Sequence, residues 1–480
     1  MAGESREGSS VSSLFDRVGS MRAPPVGERA GGSAWACGQV LDKDKRIPNP
    51  SLFWANSARE GDGMRIQTIL NRVQKFQSFV YGEARLVEES GRPVLEVELQ
   101  ARGNSRPICS GCGRKGRGYD SLPVRRYEFV PFWGILVFFL YARRRVDCPG
   151  CGVKAEGLPW AEGKHRLTTA YAWFLAGWAK RLSWSEVAGA FDTTWYYVFE
   201  SVKMAVEWGR RHVDLEGITA IGIDEMQWSR GHAYVTVVYE ITAGCRRLLW
   251  VGPKRTAKTL LGFFRWLGKE RTREIQFVCS DMWQAYLKVV AKKAGEAIHV
   301  LDRFHIMSMM SKAIDKVRAE EAREMKAQGL EPVLKGSRWW FLKRPEHLTA
   351  GQAGNLKEVL QYNLRTVRSY LLKEGFQFFW EYISPYWAGR FLDRWCSRVM
   401  RSRIEPMKKV AGSLRSHREL MLNWFRARKE ISAGAVEGLN NKAKLATRRA
   451  YGFRTYEAME VVLYHTLGNL PEPDCAHAFL

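Results

Sequence analysis

The chain has 480 residues and carries 75 Lys and Arg against 50 Asp and Glu, a formal net charge of +25. Its 46% hydrophobic and 12% aromatic residues exclude a disordered chain and predict at least one sizeable core. The length and the changes in character along the sequence predict a multidomain α/β protein. The excess of positive charge indicates a polyanionic partner, such as nucleic acid.

The sequence predicts neither a membrane span nor disulfide bonds. The most apolar stretch, residues 129–142, is interrupted by Pro131 and Gly134, so it predicts a tight hairpin and no bilayer span. The N-terminus lacks the apolar segment of a secretory signal. Nine cysteines are an odd number, and four of them form two C-x-x-C pairs, which favours a reduced compartment and a metal site.

The first 160 residues divide into two parts. Residues 1–63 are rich in Gly, Ser, Arg and Pro without sustained periodicity, which predicts disorder, and Met64 is an alternative start of the chain. Residues 64–160 are predicted to hold hairpins and a metal-binding module. Within them, Ala84 to Ala101 alternates apolar and charged residues around Ser90-Gly91-Arg92-Pro93, which predicts a β-hairpin.

Two cysteine pairs bracket the aromatic hairpin. Cys109 and Cys112 lie in C-S-G-C-G, and Cys148 and Cys151 lie in C-P-G-C-G, with the glycines that the turn of a zinc knuckle requires. Two such knuckles can place four thiolates tetrahedrally around one structural Zn²⁺. The alternative is four unligated cysteines in a core.

Residues 161–212 are predicted to be helical and to form a helix-turn-helix. Ala188 would pack where the two helices cross, Phe191-Asp192-Thr193 would form the turn, and Thr194 would cap the second helix. Such motifs usually have Gly at the place of Asp192. A plain helical hairpin is the alternative.

Residues 213–305 alternate between strand and helix patterns. A strand ending at Asp224, a hairpin, a helix from Lys258 to Leu267 and a strand ending at Asp281 predict a mixed α/β sheet. A further helix and a strand ending at Asp302 complete this segment. Residues 306–431 are predicted to be a helical insertion, residues 432–470 a final acidic helix with a basic segment, and residues 471–480 a tail.

Three acidic residues are the candidate catalytic groups. Asp224 and Asp281 end two buried strands and Glu437 lies on a later helix, so the three carboxylates can converge on one point. Hard oxygen donors suit two Mg²⁺ or Mn²⁺ ions, which about 4 Å apart can clamp both oxygens of a phosphoryl transfer. The alternative for each carboxylate is a cap or turn residue. Glu225 is expected on the opposite face of its strand, and Asp302 is interpreted as structural.

A basic segment follows the acidic helix. Lys444 lies two helical turns after Glu437, close to the same face, where a cation can hold a DNA phosphate. The predicted DNA-binding residues are Lys442, Lys444, Arg448, Arg449 and Arg454. A solvated basic helix is the alternative.

These motifs together carry a resemblance to a known family. From about Ile69 to Leu470, the chain resembles the DDE transposases of the ISL-three insertion-sequence family. The matching motifs are L-N-R-V-Q-K-F, the two C-x-x-C pairs, I-G-I-D-E-M-Q-W-S-R-G-H-A-Y, S-D-M-W-Q-A-Y, L-D-R-F-H, K-R-P-E-H-L-T and V-E-G-L-N-N-K-A-K-L-A-T-R-R-A-Y-G-F-R-T. One departure is Ala433, where many members have Asn.

The resemblance implies a fold, a function and partners. It implies a zinc-binding N-terminal module, a helix-turn-helix, and an RNase H-like catalytic domain with a helical insertion, in which Asp224, Asp281 and Glu437 form the catalytic triad. The implied activity is metal-dependent cleavage of DNA at terminal inverted repeats and strand transfer into target DNA. A homodimer or higher oligomer in the bacterial cytoplasm, associated with the nucleoid, is expected. The alternatives are a catalytically idle DNA-binding protein and an RNase H-like nuclease without strand transfer.

Overall fold

The computed structural model describes residues 65–474, except residues 164, 230, 232, 331, 332, 429, 430, 432, 433 and 451. The expectations for residues 1–63, for Met64 as a start, for Ala433 and for residues 475–480 therefore lie outside the described residues. The chain forms two compact units. The N-terminal unit comprises residues 65–213 with 464–466 and 470–474, and the C-terminal unit comprises residues 214–463 with 467–469.

The N-terminal unit combines a sheet with four helices. Its elements are α1 (Ile66–Val73), β1 (Phe79–Glu89), β2 (Arg92–Ala101), β3 (Arg117–Phe132), β4 (Ile135–Cys148), β5 (Gly152–Ala155), α2 (Thr169–Ala179), α3 (Trp184–Ala190) and α4 (Trp195–His212). The strand order is β1-β2-β4-β3, and β5 pairs with β4.

Both hairpins predicted from the sequence are confirmed. Glu89 pairs with Arg92 across the first turn, and Phe132 pairs with Ile135 across the second. The turn residues have positive φ in both cases, 52° and 74° at Ser90 and Gly91, and 49° and 83° at Trp133 and Gly134. Two central residues with positive φ define the type I′ turn, whose twist matches that of the strands it joins.

Aromatic packing around Trp160 forms the core of this sheet. The Trp160 ring is fully buried and meets the ring of Phe79 edge-on, with centroids 4.8 Å apart. The rings of Tyr141 and Phe76 each lie 5.2 Å from it. Such pairs contribute about 0.5–1.5 kcal/mol each beyond the area that they bury.

The C-terminal unit begins with a five-stranded sheet and its helices. Their bounds are β6 (Ala220–Ser229), β7 (Ala233–Glu240), β8 (Arg247–Pro253), α5 (Ala257–Leu267), α6 (Lys269–Glu274), β9 (Phe277–Ser280), α7 (Gln284–Lys293) and β10 (Ile298–Leu301). The strand order is β10-β9-β6-β7-β8. β7 is antiparallel to β6 and β8, whereas β9 and β10 run parallel to β6 and to each other.

The expectation that the first strand ends at Asp224 is wrong. β6 continues to Ser229, because the residues after Asp224 stay paired with the antiparallel neighbour β7 as far as Ala233. The parallel neighbour β9 ends at Ser280, so Asp224 lies where β6 loses its parallel partner and keeps its antiparallel one.

Helices occupy most of the rest of this unit. They are α8 (Arg303–Ala327), α9 (Arg338–Leu342), α10 (Ala350–Val359), α11 (Arg365–Gln377), α12 (Pro385–Arg401), α13 (Glu405–Ser416), α14 (Arg418–Arg426), α15 (Gly434–Arg449) and α16 (Tyr456–Leu467), with short 3₁₀ turns at Pro345–His347 and Phe378–Glu381. Helices α8 to α14 share a core that includes Ile314, Phe376 and Leu414 and that extends to Leu287 of α7 and Leu301 of β10. No described helix combines the length and the apolar character that a bilayer span requires.

The two faces of β6 meet different partners. Ile221 and Ile223 point into a core shared with α5 and α7. On the other face, a Cβ on Gly222 would lie 2.2 Å from Cγ2 of Val436 on α15. Only a residue without a side chain allows α15 to lie this close to the strand.

We expect Gly222→Ala to destabilise the C-terminal unit, because the added methyl group overlaps Val436. Overpacking of this kind costs about 1–3 kcal/mol. Gly412→Ala is the matched control, since a Cβ there meets nothing within 4 Å in the middle of α13. It should leave stability unchanged or raise it by up to about 1 kcal/mol. Chemical denaturation of both variants measures the difference, and equal stabilities would contradict the close contact.

Candidate active site and metal centre

Three aspartates lie side by side on neighbouring strands of the C-terminal unit. The register of β6 with β9 and of β9 with β10, continued past the last paired residues, aligns Asp224, Asp281 and Asp302. Neighbouring strands lie about 4.8 Å apart, so the three residues form a row across the sheet. The register thus places Asp224 next to Asp281 across the sheet.

The carboxylate of Asp224 is held from two sides. Its Oδ1 accepts a 2.7 Å hydrogen bond from the backbone N–H of Glu225, and its Oδ2 accepts a 2.5 Å bond from Nδ2 of Asn440. Oδ1 of Asn440 in turn accepts a 2.7 Å bond from the hydroxyl of Tyr239. Because an ionised carboxylate only accepts hydrogen bonds, it fixes the orientation of the Asn440 amide, and the amide makes Tyr239 a donor.

Asp224 lies in a partly apolar and partly acidic setting. Burial raises its pKa, and the neighbouring Asp302 and Asp281 raise it further, whereas the Glu225 amide and His305 lower it. His305 donates to Asp302 from Nδ1 at 2.5 Å, and this bond raises the pKa of His305 to about 8. Such a cluster of carboxylates favours the binding of cations.

An arginine connects Asp281 with a carboxylate of β6. Nη2 of Arg255 donates to Oδ2 of Asp281 at 3.3 Å, and the same guanidinium forms an ion pair with Glu225. It also lies 4.4 Å from the centroid of the Trp283 ring, whose backbone N–H donates to Oδ1 of Asp281 at 3.0 Å. Burial raises the pKa of Glu225 to about 7. Glu225, set aside in the sequence analysis, is therefore coupled to Asp281.

Glu437 is exposed in the first turn of α15. It lies three residues before Asn440 and directly after Val436, which packs on Gly222, so α15 places it beside β6. In the part of the chain that the structure describes, only the four cysteines place three or more ligand atoms within 4.8 Å of one another. The carboxylates of Asp224, Asp281 and Glu437 are therefore not gathered that closely.

Asp302 has contacts typical of a structural residue. Its side chain caps α8 by accepting a 2.8 Å hydrogen bond from the backbone N–H of Phe304, and its other oxygen binds His305. Both contacts use the carboxylate within its own segment.

The predicted DNA-binding residues lie on the surface. The side chains of Lys442, Lys444, Arg448, Arg449 and Arg454 are all exposed. Arg454 also lines an open groove of about 600 Å³ together with Gln227, Trp228 and Phe453. Exposed side chains at these positions fit both interpretations from the sequence, contact with DNA phosphates and a basic helix that faces solvent.

The four cysteines of the N-terminal unit lie close together. All four sulfurs lie within 4.8 Å of one another, and the sulfurs of Cys112 and Cys148 are 3.5 Å apart. Four sulfurs at 2.3 Å from one tetrahedral ion lie about 3.8 Å apart, so the cluster has the size of a Zn(Cys)₄ centre. The closed set of four thiolates leaves no position for a substrate.

The knuckle glycines have specific geometric roles. A Cβ on Gly111 would lie 3.3 Å from the sulfur of Cys151. Gly113 and Gly152, which directly follow the second cysteine of each pair, have φ of 72° and 67°. The backbone amides of Cys112 and Gly111 lower the pKa of Cys109 to about 7, which favours the thiolate that binds metal.

Helices α3 and α4 and the turn between them have the geometry expected from the sequence. The N–H of Thr193 donates to the carbonyl of Ala188 at 3.0 Å, and the hydroxyl of Thr194 accepts from the N–H of Tyr197 at 3.3 Å as the cap of α4. Asp192 has φ of 50°. Asp tolerates this left-handed conformation better than most residues, so it can replace the usual Gly.

Sequence reasoning missed four residues of the acidic site: Tyr239, Arg255, His305 and Asn440. Two of them had a signal, since Asn440 follows Glu437 by three residues and His305 follows Asp302 by three, spacings that place helical residues on one face. Arg255 and Tyr239 had none. Their contacts depend on the pairing of β6 with its neighbours and on the packing of α15.

Comparisons with known proteins match the chain over most of its length. The family described as transposase, of the ISL-three DDE type, matches residues 221–463, from the second residue of β6 to the middle of α16. A transposase of insertion sequence element IS1001 from Bordetella parapertussis is 30% identical over 382 residues, covering 78% of this chain and 93% of that protein. A transposase of insertion sequence element IS1557 from Mycobacterium tuberculosis is 30% identical over 387 residues, covering 75% and 85%.

These matches show that the protein is a transposase, and transposases act on DNA. Within this class, the chain belongs to the ISL-three family of insertion-sequence transposases.

We expect about one Zn per chain in the purified protein and a loss of most of it in Cys148→Ser, because three thiolates bind zinc more weakly than four. Zinc content by atomic emission spectrometry measures the change, and limited proteolysis should show a loosened N-terminal unit only. Cys245→Ser is the control, since Cys245 lies outside the cluster. Unchanged zinc in Cys148→Ser would contradict the site.

Proposed function

We propose that the protein is an active DDE transposase that cuts DNA at the ends of its element and joins the freed ends to target DNA. The observation that carries the proposal is the alignment of Asp224 and Asp281 along the adjacent parallel strands β6 and β9. Helix α15, which carries Glu437, packs on β6 through Val436. In the order β10-β9-β6-β7-β8, strands β6, β7 and β8 are antiparallel, and the parallel strands β9 and β10 follow on one side of β6. This arrangement supports an RNase H-like catalytic domain. Helices α8 to α14 are the insertion that separates its sheet from α15.

The donor set fits divalent metal ions. Asp224, Asp281 and Glu437 offer hard oxygen ligands, and burial of Asp224 among other carboxylates makes a nearby positive charge favourable. Two Mg²⁺ or Mn²⁺ ions, when bound, would supply charge stabilisation at the reacting phosphate and a lowered pKa for the attacking group. The chain itself contributes the orientation of the ligands.

Two sets of contacts fix that orientation. Asn440 and the Glu225 amide hold both oxygens of Asp224, so the remaining lone pairs of the carboxylate point in set directions. Arg255 and the backbone amide of Trp283 hold the two carboxylate oxygens of Asp281 in the same way. Ligands fixed before the substrate binds need less reorganisation in the transition state.

The two reactions are displacements at phosphorus. In the first, water attacks the phosphodiester at the element end and the 3′-oxygen leaves, which gives a 3′-OH. In the second, this 3′-OH attacks a target phosphodiester, and one bond forms as another breaks, so no external energy source is needed. Lys444 and the neighbouring basic residues of α15 would hold the DNA phosphates.

The N-terminal unit would recognise the ends of the element. A zinc-stabilised module and a helix-turn-helix, whose α4 begins with the exposed rings of Trp195 and Tyr196, support binding to the terminal inverted repeats. Two ends must be joined together, so we propose a homodimer or a higher oligomer on DNA.

We expect Asp224→Asn, Asp281→Asn and Glu437→Gln each to lose cleavage and strand transfer by at least about 100-fold, because each change removes a charge at the reacting phosphate. Cleavage and joining of labelled element ends in Mg²⁺ and in Mn²⁺ measure the loss, and calorimetry with Mn²⁺ measures ion binding. Binding to the element ends should persist.

Glu274→Gln is the matched control, since Glu274 is an exposed carboxylate at the end of α6. Asp302→Asn should retain cleavage, because the amide oxygen can still cap α8. Near-normal joining by Glu437→Gln, with a loss in Asp302→Asn, would assign the third ligand to Asp302. Cleavage without joining by the unaltered protein would show a nuclease, and neither activity would show an idle DNA-binding protein.

We expect the hydrogen-bond chain from Tyr239 through Asn440 to set the pH dependence of cleavage. A bond donated to an ionised carboxylate favours that form, so its loss in Asn440→Ala should raise the pKa of Asp224 further. The acid limb of the pH–rate profile should then move to higher pH. Asn440→Asp should move it more, because a second carboxylate would face Asp224.

Tyr239→Phe should shift the profile less than Asn440→Ala, since it removes only the group that orients the amide. Asn441→Ala is the control, because Asn441 is an exposed neighbour on the same helix. A fall in rate at all pH values, with an unmoved acid limb, would assign Asn440 to packing alone.

A further inference from the structure

The outer face of α12, in the helical insertion, combines positive charge with exposed aromatic rings. Its inner face is buried in the core of α8 to α14 through Ala388, Leu392, Trp395, Cys396 and Val399. The outer face carries Tyr386, Trp387, Arg390, Arg394, Arg398 and Arg401. We call these six residues the α12 stripe.

The four arginines of the α12 stripe follow one another at intervals of three or four residues. At 3.6 residues per turn they fall within an arc of roughly 80° around the helix axis. From the first to the last they extend about 17 Å along the axis, the length of about five nucleotides in one DNA strand. The stripe is therefore a linear array of cations on the surface of the protein.

These cations are available for an external partner. Among the described residues, none of the four arginines forms an ion pair within the chain. Arg390 donates to the Tyr386 hydroxyl at 3.5 Å, and Arg401 donates to the carbonyl of Ser397 at 3.2 Å. The nearest acidic residue along the helix, Asp393, is engaged by Arg418 through two bonds of 3.1 Å.

Two aromatic rings lie at the N-terminal end of the stripe. Tyr386 is 61% exposed and Trp387 is 55% exposed, and Ile383 just before them is 82% exposed. The Tyr386 and Trp387 rings are nearly perpendicular, at 76°, with centroids 5.1 Å apart. Each ring thus presents part of its face to solvent, although the burial of both would be favourable.

We propose that the α12 stripe binds single-stranded DNA, with unpaired bases stacked on Trp387 and Tyr386 and the adjoining phosphates held by the arginines. Stacking on an aromatic ring requires a base outside the duplex, and a row of cations beside such rings is how single strands are bound. The choice of DNA rests on the proposed function. A cut at an element end leaves a free strand end, whose terminal nucleotides can unpair.

Other partners fit the stripe less well. A second copy of the chain carries the same net charge of +25, so the two copies repel each other unless a polyanion lies between them. A membrane surface would require a large apolar face on α12, and that face is buried in the core.

The test is the binding of a fluorescein-labelled (dT)₁₂ oligonucleotide and of a 12-base-pair duplex to the full chain. Binding is measured without divalent ions, so that no cleavage occurs. Trp387→Ala should weaken oligonucleotide binding by at least about 5-fold, from the loss of one stacked base. Duplex binding should be unchanged. Trp387→Phe should retain most of the affinity, and Trp339→Ala, which removes an exposed tryptophan of α9, is the control.

The arginines are tested through the salt dependence. Replacement of Arg390, Arg394 and Arg398 by Gln should reduce the slope of log affinity against log salt by about 2, and replacement by Lys should restore it. An equal loss of single-strand and duplex binding in Trp387→Ala would overturn the proposal. So would unchanged binding with an altered oligomeric state by light scattering, which would assign the stripe to a protein interface. Neither result would contradict the proposed cleavage at Asp224, because the binding test does not measure cleavage.

Discussion

The close packing of α15 on β6 is the contact on which the acidic site depends. Gly222 has no side chain, so Val436 reaches the strand and the helix lies directly over it. One turn further on, Asn440 meets Asp224, and on the same stretch of helix Glu437 stands exposed beside the strand. A larger residue at position 222 would lift the helix and separate all of these groups at once.

The electrostatics of the site follow from where its charges are buried. Asp224, Asp281 and Asp302 are aligned by strand register, and like charges so close together cost free energy unless cations or donors offset them. The chain supplies part of the compensation through Arg255 and His305. What remains is net negative charge on carboxylate oxygens, which favours a nearby cation.

In the N-terminal unit, a cysteine cluster lies where two turns meet. Its cysteine knuckles lie next to long strands, in a small cluster with Val146 that is separate from the aromatic core around Trp160. Glycines with positive φ allow both turns to close, and the four sulfurs come within reach of one ion. Metal ligation by four cysteines can stabilise loop segments that have too few apolar side chains to pack by themselves. Helices α8 to α14 instead share a broad apolar core, which leaves the outer face of α12 exposed.

The sequence by itself determined the local elements and the residue types of the candidate sites. Turn residues such as Ser90 and Gly91 predicted the hairpins, C-x-x-C pairs predicted the sulfur cluster, and apolar runs before Asp224 and Asp281 predicted neighbouring strands. These features depend on residues close together in the chain, where sterics and spacing act directly. Only the tertiary structure decided that β6 continues past Asp224, since its pairing with β7 is an interaction between strands. The contacts of Arg255 and Asn440 likewise join segments far apart in the chain, and no local pattern encodes which partner a distant side chain will meet.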